Sequence, residues 1–257
     1  MTKWKVKLSG YEFDLKTLSS IFSEPVCCVA KDEGDEYYLT SDEFTTMIEV
    51  GDVYHAAQEW IVIVNACGRL HDANYVPVAH SQITRLNDNG SQTHFRFAVA
   101  KADITLSSRV QVDAVDLDPD GAPTPPPEPA RAQRQLRLAR QDQVVAEALK
   151  HWNGCRRGDA DFWFSASKVY EIIRADMGGG DKGMGKKAII GQQWMSGNEI
   201  ERFGETANNP AISGDRARHG AGWATPAGIT PYTEIEAEAL IRKLLNGWLD
   251  WKDSHTP

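Results

Sequence analysis

Hydrophobic and polar residues alternate at the start of the chain. Trp4, Val6 and Leu8 are separated by single lysines, and a period of two is typical of a β-strand with one buried face. Residues 14–22 instead carry leucine, isoleucine and phenylalanine at mostly three- and four-residue intervals, which is the spacing of one helix face. The pattern therefore predicts a strand followed by a helix.

A hairpin and a long helix are predicted next. Residues 26–30 and 36–40 are rich in β-forming side chains and are separated by a polar segment that contains a glycine, which favours a reverse turn. Ser41 is placed to cap a helix whose apolar positions continue to residue 64. We expect one long helix or a helix broken at Gly51, ending at Gly68.

Three further β-prone segments complete the first half of the chain. They cover residues 76–86, 93–100 and 104–115, and the first two are joined by the turn-forming string at 87–90. Because the strands follow one another through short polar connections, we expect an antiparallel sheet. The predicted fold of residues 1–115 is an α+β domain with one or two helices.

A proline-rich segment follows the predicted sheet. Residues 116–129 contain six prolines in fourteen positions, and proline has no backbone N–H to donate to a helix or a sheet. We therefore predict a linker at 116–131 between the α+β domain and a second domain at 132–257.

The second half has the periodicity of an all-α helical bundle. Apolar residues recur at helical spacing over residues 134–152 and 162–177, and shorter signals occur at 196–205 and 233–251. Thr233 and Glu236 have the spacing of a capping box. The residues of the last helix that we expect to face the core are Ile235, Leu240, Leu244, Trp248 and Trp251.

Composition narrows the class of protein. The chain is 41% hydrophobic with eight tryptophans, so it can bury a core. The net charge of −8 argues against a nucleic-acid surface over the whole molecule but permits a local basic patch. No segment approaches the roughly 18 apolar residues that span a bilayer, and the four cysteines lack metal-binding spacing. We expect a cytoplasmic protein without membrane, metal or cofactor.

Two loop-like strings resemble ligand motifs without completing them. Residues 180–186 fit the glycine-rich phosphate pattern, but Lys187 stands where magnesium binding needs serine or threonine. We expect a mobile loop between helices there. Residues 116–121 match the first half of a calcium loop, but Pro127 occupies the position of the final acidic ligand, so an acidic linker is the better interpretation.

Arginines are concentrated at the start of the predicted helical domain. They recur at every third position and are followed by an adjacent pair, which would suit contacts with RNA phosphates. The alternative is a solvated helix face paired with acidic residues. The residues are Arg131, Arg134, Arg137, Arg140, Arg156 and Arg157.

Polar residues are also dense before the last helix. The pieces W-x-S, R-F, T-A-N and A-R-H-G within residues 194–220 resemble a helical domain of uncharacterised bacterial proteins, over about residues 146–251. A more distant resemblance is to HEPN domains, helical bundles that often dimerise and in many cases cleave RNA through an R-x(4–6)-H motif. That motif is absent from this chain.

The HEPN resemblance implies a set of candidate catalytic residues. His219 would act as general acid or base, and Arg218 or Arg202 would stabilise charge on the phosphate, with Asn208 nearby in sequence. The alternative is that Asn208, Arg218 and His219 bind loop carbonyls and helix ends.

Two functions follow as hypotheses. The absence of a complete catalytic pattern favours a non-catalytic interaction or oligomerisation protein of the bacterial cytoplasm, with a protein partner or a second copy of itself. The alternative is a HEPN-like RNase or RNA-binding protein of a defence or toxin system.

Overall fold

The fold was analysed in a computed structural model, which describes residues 4–96, 130–218 and 230–255. The chain divides into two compact units. The first, which we call the sheet unit, is Met1–Ala57 with Val78–Gln133, and the second, the helical unit, is Gln58–Pro77 with Arg134–Pro257. The expected α+β class is confirmed. Most of the predicted linker at 116–131 lies outside the described residues.

The sheet unit contains a fully antiparallel sheet. Its strands lie in the order β2 (Ser23–Glu24), β3 (Cys27–Lys31), β4 (Tyr37–Thr40), β1 (Trp4–Ser9), β5 (Ala79–Leu86) and β6 (Gln92–Arg96). The predicted hairpin is confirmed, since β3 and β4 pair with Val29 opposite Leu39. The predicted strand at 104–115 lies outside the described residues.

The alternation of β1 produces the expected buried face. Trp4, Val6 and Leu8 are all buried, and the indole Nε1 of Trp4 donates to the carbonyl oxygen of Met47 at 2.9 Å. Helix α1 (Glu12–Ile21) follows β1 and buries Leu15, Leu18 and Ile21. The strand and helix predicted from the first residues are therefore both present.

The helix predicted from Ser41 to Gly68 is divided, and its end was wrongly placed. Ser41 caps only a short 3₁₀ helix, Asp42–Thr46, while α2 spans Val50–His71. Gly68 lies inside α2, where a Cβ atom would come within 2.8 Å of the Tyr75 ring. The glycine therefore allows a close contact between helix and ring and does not terminate the helix.

The helical unit is built from the second half of α2 and the helices after it. No helix of the described residues is long and apolar enough to cross a membrane. The later helices are α3 (Ala130–Gln141), α4 (Gln143–Gly154), α5 (Phe162–Met177), α6 (Lys182–Gly191), α7 (Gly197–Asn208), α8 (Pro210–Ser213) and α9 (Glu234–His255).

Two predictions in this half were wrong because capping residues were missed. The segment 134–152 is two helices, since Asp142 caps α4 through bonds from the N–H groups of Val144 and Val145. The segment predicted as a mobile loop contains α6, which Asp181 caps in the same way. A side-chain oxygen that satisfies the first N–H groups of a helix fixes where that helix begins.

The last helix follows its sequence pattern closely. Thr233 and Glu236 form the predicted capping box. Leu240, Leu244 and Trp248 are buried. Ile235 is 65% exposed, so its assignment to the core was wrong, and Trp251 is only half-buried.

Candidate functional site

Arg202 of α7 holds the segment that leads into α9. Its Nε donates to the carbonyl oxygen of Thr230 at 2.5 Å and its Nη2 to that of Pro231 at 3.0 Å. The guanidinium also lies 3.7 Å from the ring centroid of Tyr232 and 3.5 Å from Glu236. All these contacts are local and structural, so they orient the chain before its last helix.

Arg218 is bound to a carboxylate. Its Nη1 lies 2.6 Å from Oε1 of Glu171 on α5, and its backbone N–H donates to the carbonyl oxygen of Ala207. The side-chain Oδ1 of Asn208 is buried and accepts no hydrogen bond in the part of the chain that is described. His219 lies outside the described residues, and its proposed role stays a prediction.

The two candidate arginines therefore have different sets of partners. Arg202 is engaged by carbonyls and an aromatic ring, and Arg218 by a carboxylate that would compete with a phosphate for the same N–H groups. Within the described ranges, no group of three or more His, Cys, Asp or Glu side chains could hold a metal ion. The described geometry gives Arg202 and Arg218 structural contacts and leaves their catalytic role a prediction.

The arginines at the start of the helical unit also have intramolecular contacts. Arg134 lies 2.9 Å from Asp253, Arg157 lies 2.8 Å from Glu238, and the Arg140 guanidinium lies 4.8 Å from the Trp60 ring centroid. Arg137 and Arg156 are exposed. Side chains three residues apart on a helix point in directions that differ by about 60°. The arginines of α3 therefore do not share one narrow face.

An open groove in the helical unit is lined by α2, α3 and α4. Its volume is about 520 Å³, within the range of binding clefts. Ile63 and Ala139 in its lining are buried, and Val62 and Ala146 are half-buried. The charged lining residues are Glu59, Arg140, Glu147 and Lys150, so the two signs are balanced.

An exposed aromatic side chain lies beside this groove. Glu147, which lines the groove, has its Oε1 3.2 Å from Nε2 of His151. The His151 ring lies 6.3 Å from that of Phe164 in an edge-to-face arrangement. Phe164 on α5 is 43% exposed, and Lys168 lies 5.6 Å from its ring centroid. Phe164 is thus connected to the groove lining through His151 and Glu147, and we call the groove together with this side chain the groove–Phe164 surface.

The charge state of His151 follows from its surroundings. Burial lowers the pKa of His151, and the cations of Lys150 and Lys168 lower it further against the opposing effect of Glu147. The imidazole is therefore mainly neutral at pH 7. Removing a neutral imidazole from water costs less free energy than removing an imidazolium. A neutral His151 therefore suits a surface that a partner covers.

Sequence reasoning missed the groove–Phe164 surface. Phe164 falls in a helix with apolar residues on several sides, so periodicity assigned it to no particular face. The three- and four-residue spacings of Glu147, Lys150 and His151 were the local signals that place residues of this surface side by side on one helix. The groove itself joins residues more than 70 positions apart, and only packing brings them together.

Comparison with protein-family models, curated proteins and solved structures gave no match. The resemblance to HEPN domains therefore stays a prediction.

Proposed function

We propose that this chain is a non-catalytic interaction protein that pairs with a second copy of itself through the groove–Phe164 surface. The observation that carries the proposal is an exposed phenylalanine next to a groove with a partly apolar lining. Exposed aromatic side chains beside clefts are typical of the residues that dominate association energy.

The arrangement suits a two-fold dimer. In such an interface each copy presents the same patch, so a protruding group on one copy meets a recess on the other, and the reverse. Phe164 of one copy would enter the groove of its partner between Val62 and Ala146. The balanced charges of the groove favour self-association, since acids of one copy can face cations of the other.

A catalytic function has less support from the described residues. Arg202 is bound to the segment that leads into α9, and Arg218 is bound to Glu171 of α5. The proposed compartment is the bacterial cytoplasm. None of the four cysteines, all of which lie in the described residues, is in a disulfide, which fits a reducing environment because disulfides form where the surroundings are oxidising.

Light scattering coupled to size-exclusion chromatography tests the dimer. We expect the wild-type protein to approach twice its chain mass of 28.5 kDa as concentration rises. Phe164→Ala should weaken association by about a thousandfold, because the two-fold pair loses one interface residue worth about 2 kcal/mol from each copy. Ala146→Trp should block the groove and act in the same direction. Ile235→Ala, which trims another exposed side chain, is the matched control.

Mixing the two interface variants gives the sharper test. A mixed pair keeps one intact contact, because the Ala146→Trp copy supplies Phe164 and the Phe164→Ala copy supplies an open groove. The mixture should therefore associate more tightly than either variant alone. A wild-type protein that stays at the mass of one chain at every concentration would contradict the proposal, as would variants that dimerise normally.

A further inference from the structure

His151 lies between the groove lining and Phe164. Its Nε2 is 3.2 Å from Oε1 of Glu147, which lines the groove, and its ring centroid is 6.3 Å from that of Phe164. The His151 side chain is still 22% exposed in the single chain. A partner copy that receives Phe164 in its groove would therefore cover an ionisable ring that otherwise contacts water.

Charged side chains of both signs lie near His151 or line the groove. Burial is the main cause that lowers the pKa of His151, and the two nearest lysines, one on α4 and one on α5, lower it further against the effect of Glu147. A proton on His151 would thus place a third cation beside these lysines. The charged residues are Glu147 and Lys150 on α4, Lys168 and its partner Glu171 on α5, which packs against α4, Glu59 on α2 and Arg140 on α3.

Covering His151 by a partner would make its imidazolium form less favourable. Water stabilises a charged ring more than a neutral one, so removal from water by a second copy acts in the same direction as burial within the chain. The groove of the partner contributes two acidic and two basic side chains, so it brings no net charge that would offset this cost. Protonation of His151 and association of two copies therefore oppose each other.

We propose that protonation of His151 dissociates the dimer, which makes the groove–Phe164 surface a pH-sensitive interface. This regulation rests on the dimer proposed above. Both rings are mainly neutral at pH 7, and association should weaken as the pH falls through the pKa that His151 has in the single chain, which lies below the ordinary value of 6.5. Each dimer contains two copies of His151, so the Kd should rise by up to about 100-fold per pH unit once both rings must lose a proton to associate.

Light scattering coupled to size-exclusion chromatography at pH 7.5 and pH 5.0 tests the switch. The Kd of the wild-type dimer should rise at least about tenfold between the two pH values. His151→Gln removes the ionisable ring, so the ratio of its two Kd values should be much closer to one. The control is His71→Gln, which removes an exposed histidine that does not line the groove and should keep the wild-type ratio. Circular dichroism at both pH values checks that the helices are retained.

A second measurement follows the proton on His151 directly. Ala146→Trp should keep the protein as single chains and leave Phe164 beside His151, so an NMR titration of its imidazole gives the single-chain pKa. We expect this pKa to lie below 6.5. Adding Glu147→Gln should lower it further, because the carboxylate of Glu147 favours the imidazolium. The wild-type dimer should begin to weaken at the pH where this ring takes up its proton.

The outcomes separate failure of the switch from failure of the dimer. A wild-type dimer with the same Kd at pH 7.5 and pH 5.0 would overturn the switch and leave the dimer standing. An unchanged pH dependence in His151→Gln would also overturn the switch, because another group would then be responsible. A wild-type protein that stays at the mass of one chain at pH 7.5 would overturn the dimer itself and the switch with it.

Discussion

Arg69 of α2 and Glu238 of α9 form an ion pair at 2.9 Å, and each side chain is only 7% exposed. Glu238 also lies 2.8 Å from Arg157 and 3.3 Å from Arg242. Arg69 donates to the carbonyl oxygens of Trp152 and Cys155 as well, at 2.6 and 2.5 Å. The pair therefore joins α2, α9 and the end of α4 within the helical unit.

Glu238→Gln should destabilise the helical unit strongly. The substitution keeps the shape of the side chain but leaves Arg69 buried without a counter-charge, and breaking a buried pair on one side typically costs about 3–5 kcal/mol. Urea unfolding followed by circular dichroism measures the change. Asp253→Asn is the control, because its pair with Arg134 is partly exposed and should contribute under about 1 kcal/mol. Equal effects of the two substitutions would contradict the expected role of burial.

Asp142 should make stability depend on acid pH. Burial alone would raise the pKa of this carboxyl, but the bond from Lys252 at 2.8 Å and those from the N–H groups of Val144 and Val145 outweigh it and lower the pKa. Because the pKa of Asp142 is lower in the folded state, the ionised carboxylate stabilises the fold at pH values above its unfolded-state pKa of about 3.9. That stabilisation is lost as the pH falls through the folded-state pKa.

Asp142→Asn separates the cap from the charge. Asparagine still caps a helix, so α4 should persist, while the dependence of the unfolding free energy on pH below about 4 should become weaker. Asp142→Ala removes both and should cost about 1–2 kcal/mol at pH 7. Unfolding curves between pH 3 and pH 7 provide the measurement, and a wild-type acid dependence in the Asn variant would contradict the role given to this carboxylate.

Gly185 should tolerate no side chain. A Cβ atom there would overlap the Arg174 carbonyl, so α6 must move away from α5. Overpacking of this kind typically costs about 1–3 kcal/mol. Gly191→Ala, which meets no atom within 4 Å, should be neutral or stabilising by up to about 1 kcal/mol. Thermal unfolding of both variants tests this, and a Gly185→Ala protein as stable as Gly191→Ala would contradict it.

Local patterns predicted most elements of the fold correctly. The alternation at Trp4, Val6 and Leu8 specified β1 and its buried face, and the β3–β4 hairpin and the Thr233 capping box were also recognised. Such signals lie within a few residues of one another, so they can be read directly. The errors at Asp142 and Asp181 arose because acidic N-caps were taken for ordinary polar residues.

The candidate sites were less accessible to sequence reasoning. The arginines from Arg134 to Arg157 looked like one basic patch, but their partners Asp253 and Glu238 come from α9, far along the chain. The local sequence around Arg134 and Arg157 therefore did not show that these two charges are paired.

The sequence by itself determined the α+β class, the antiparallel hairpin and the positions of most helices. Side chains on one face recur every second residue in a strand and about every 3.6 residues in a helix, so both patterns are visible within a few residues. The tertiary structure alone decided which charges far apart in the sequence are paired. Arg69 and Glu238 are 169 residues apart, and the groove beside Phe164 joins α2 to α4. These arrangements depend on how helices pack, and packing is a property of side chains that meet across the folded chain.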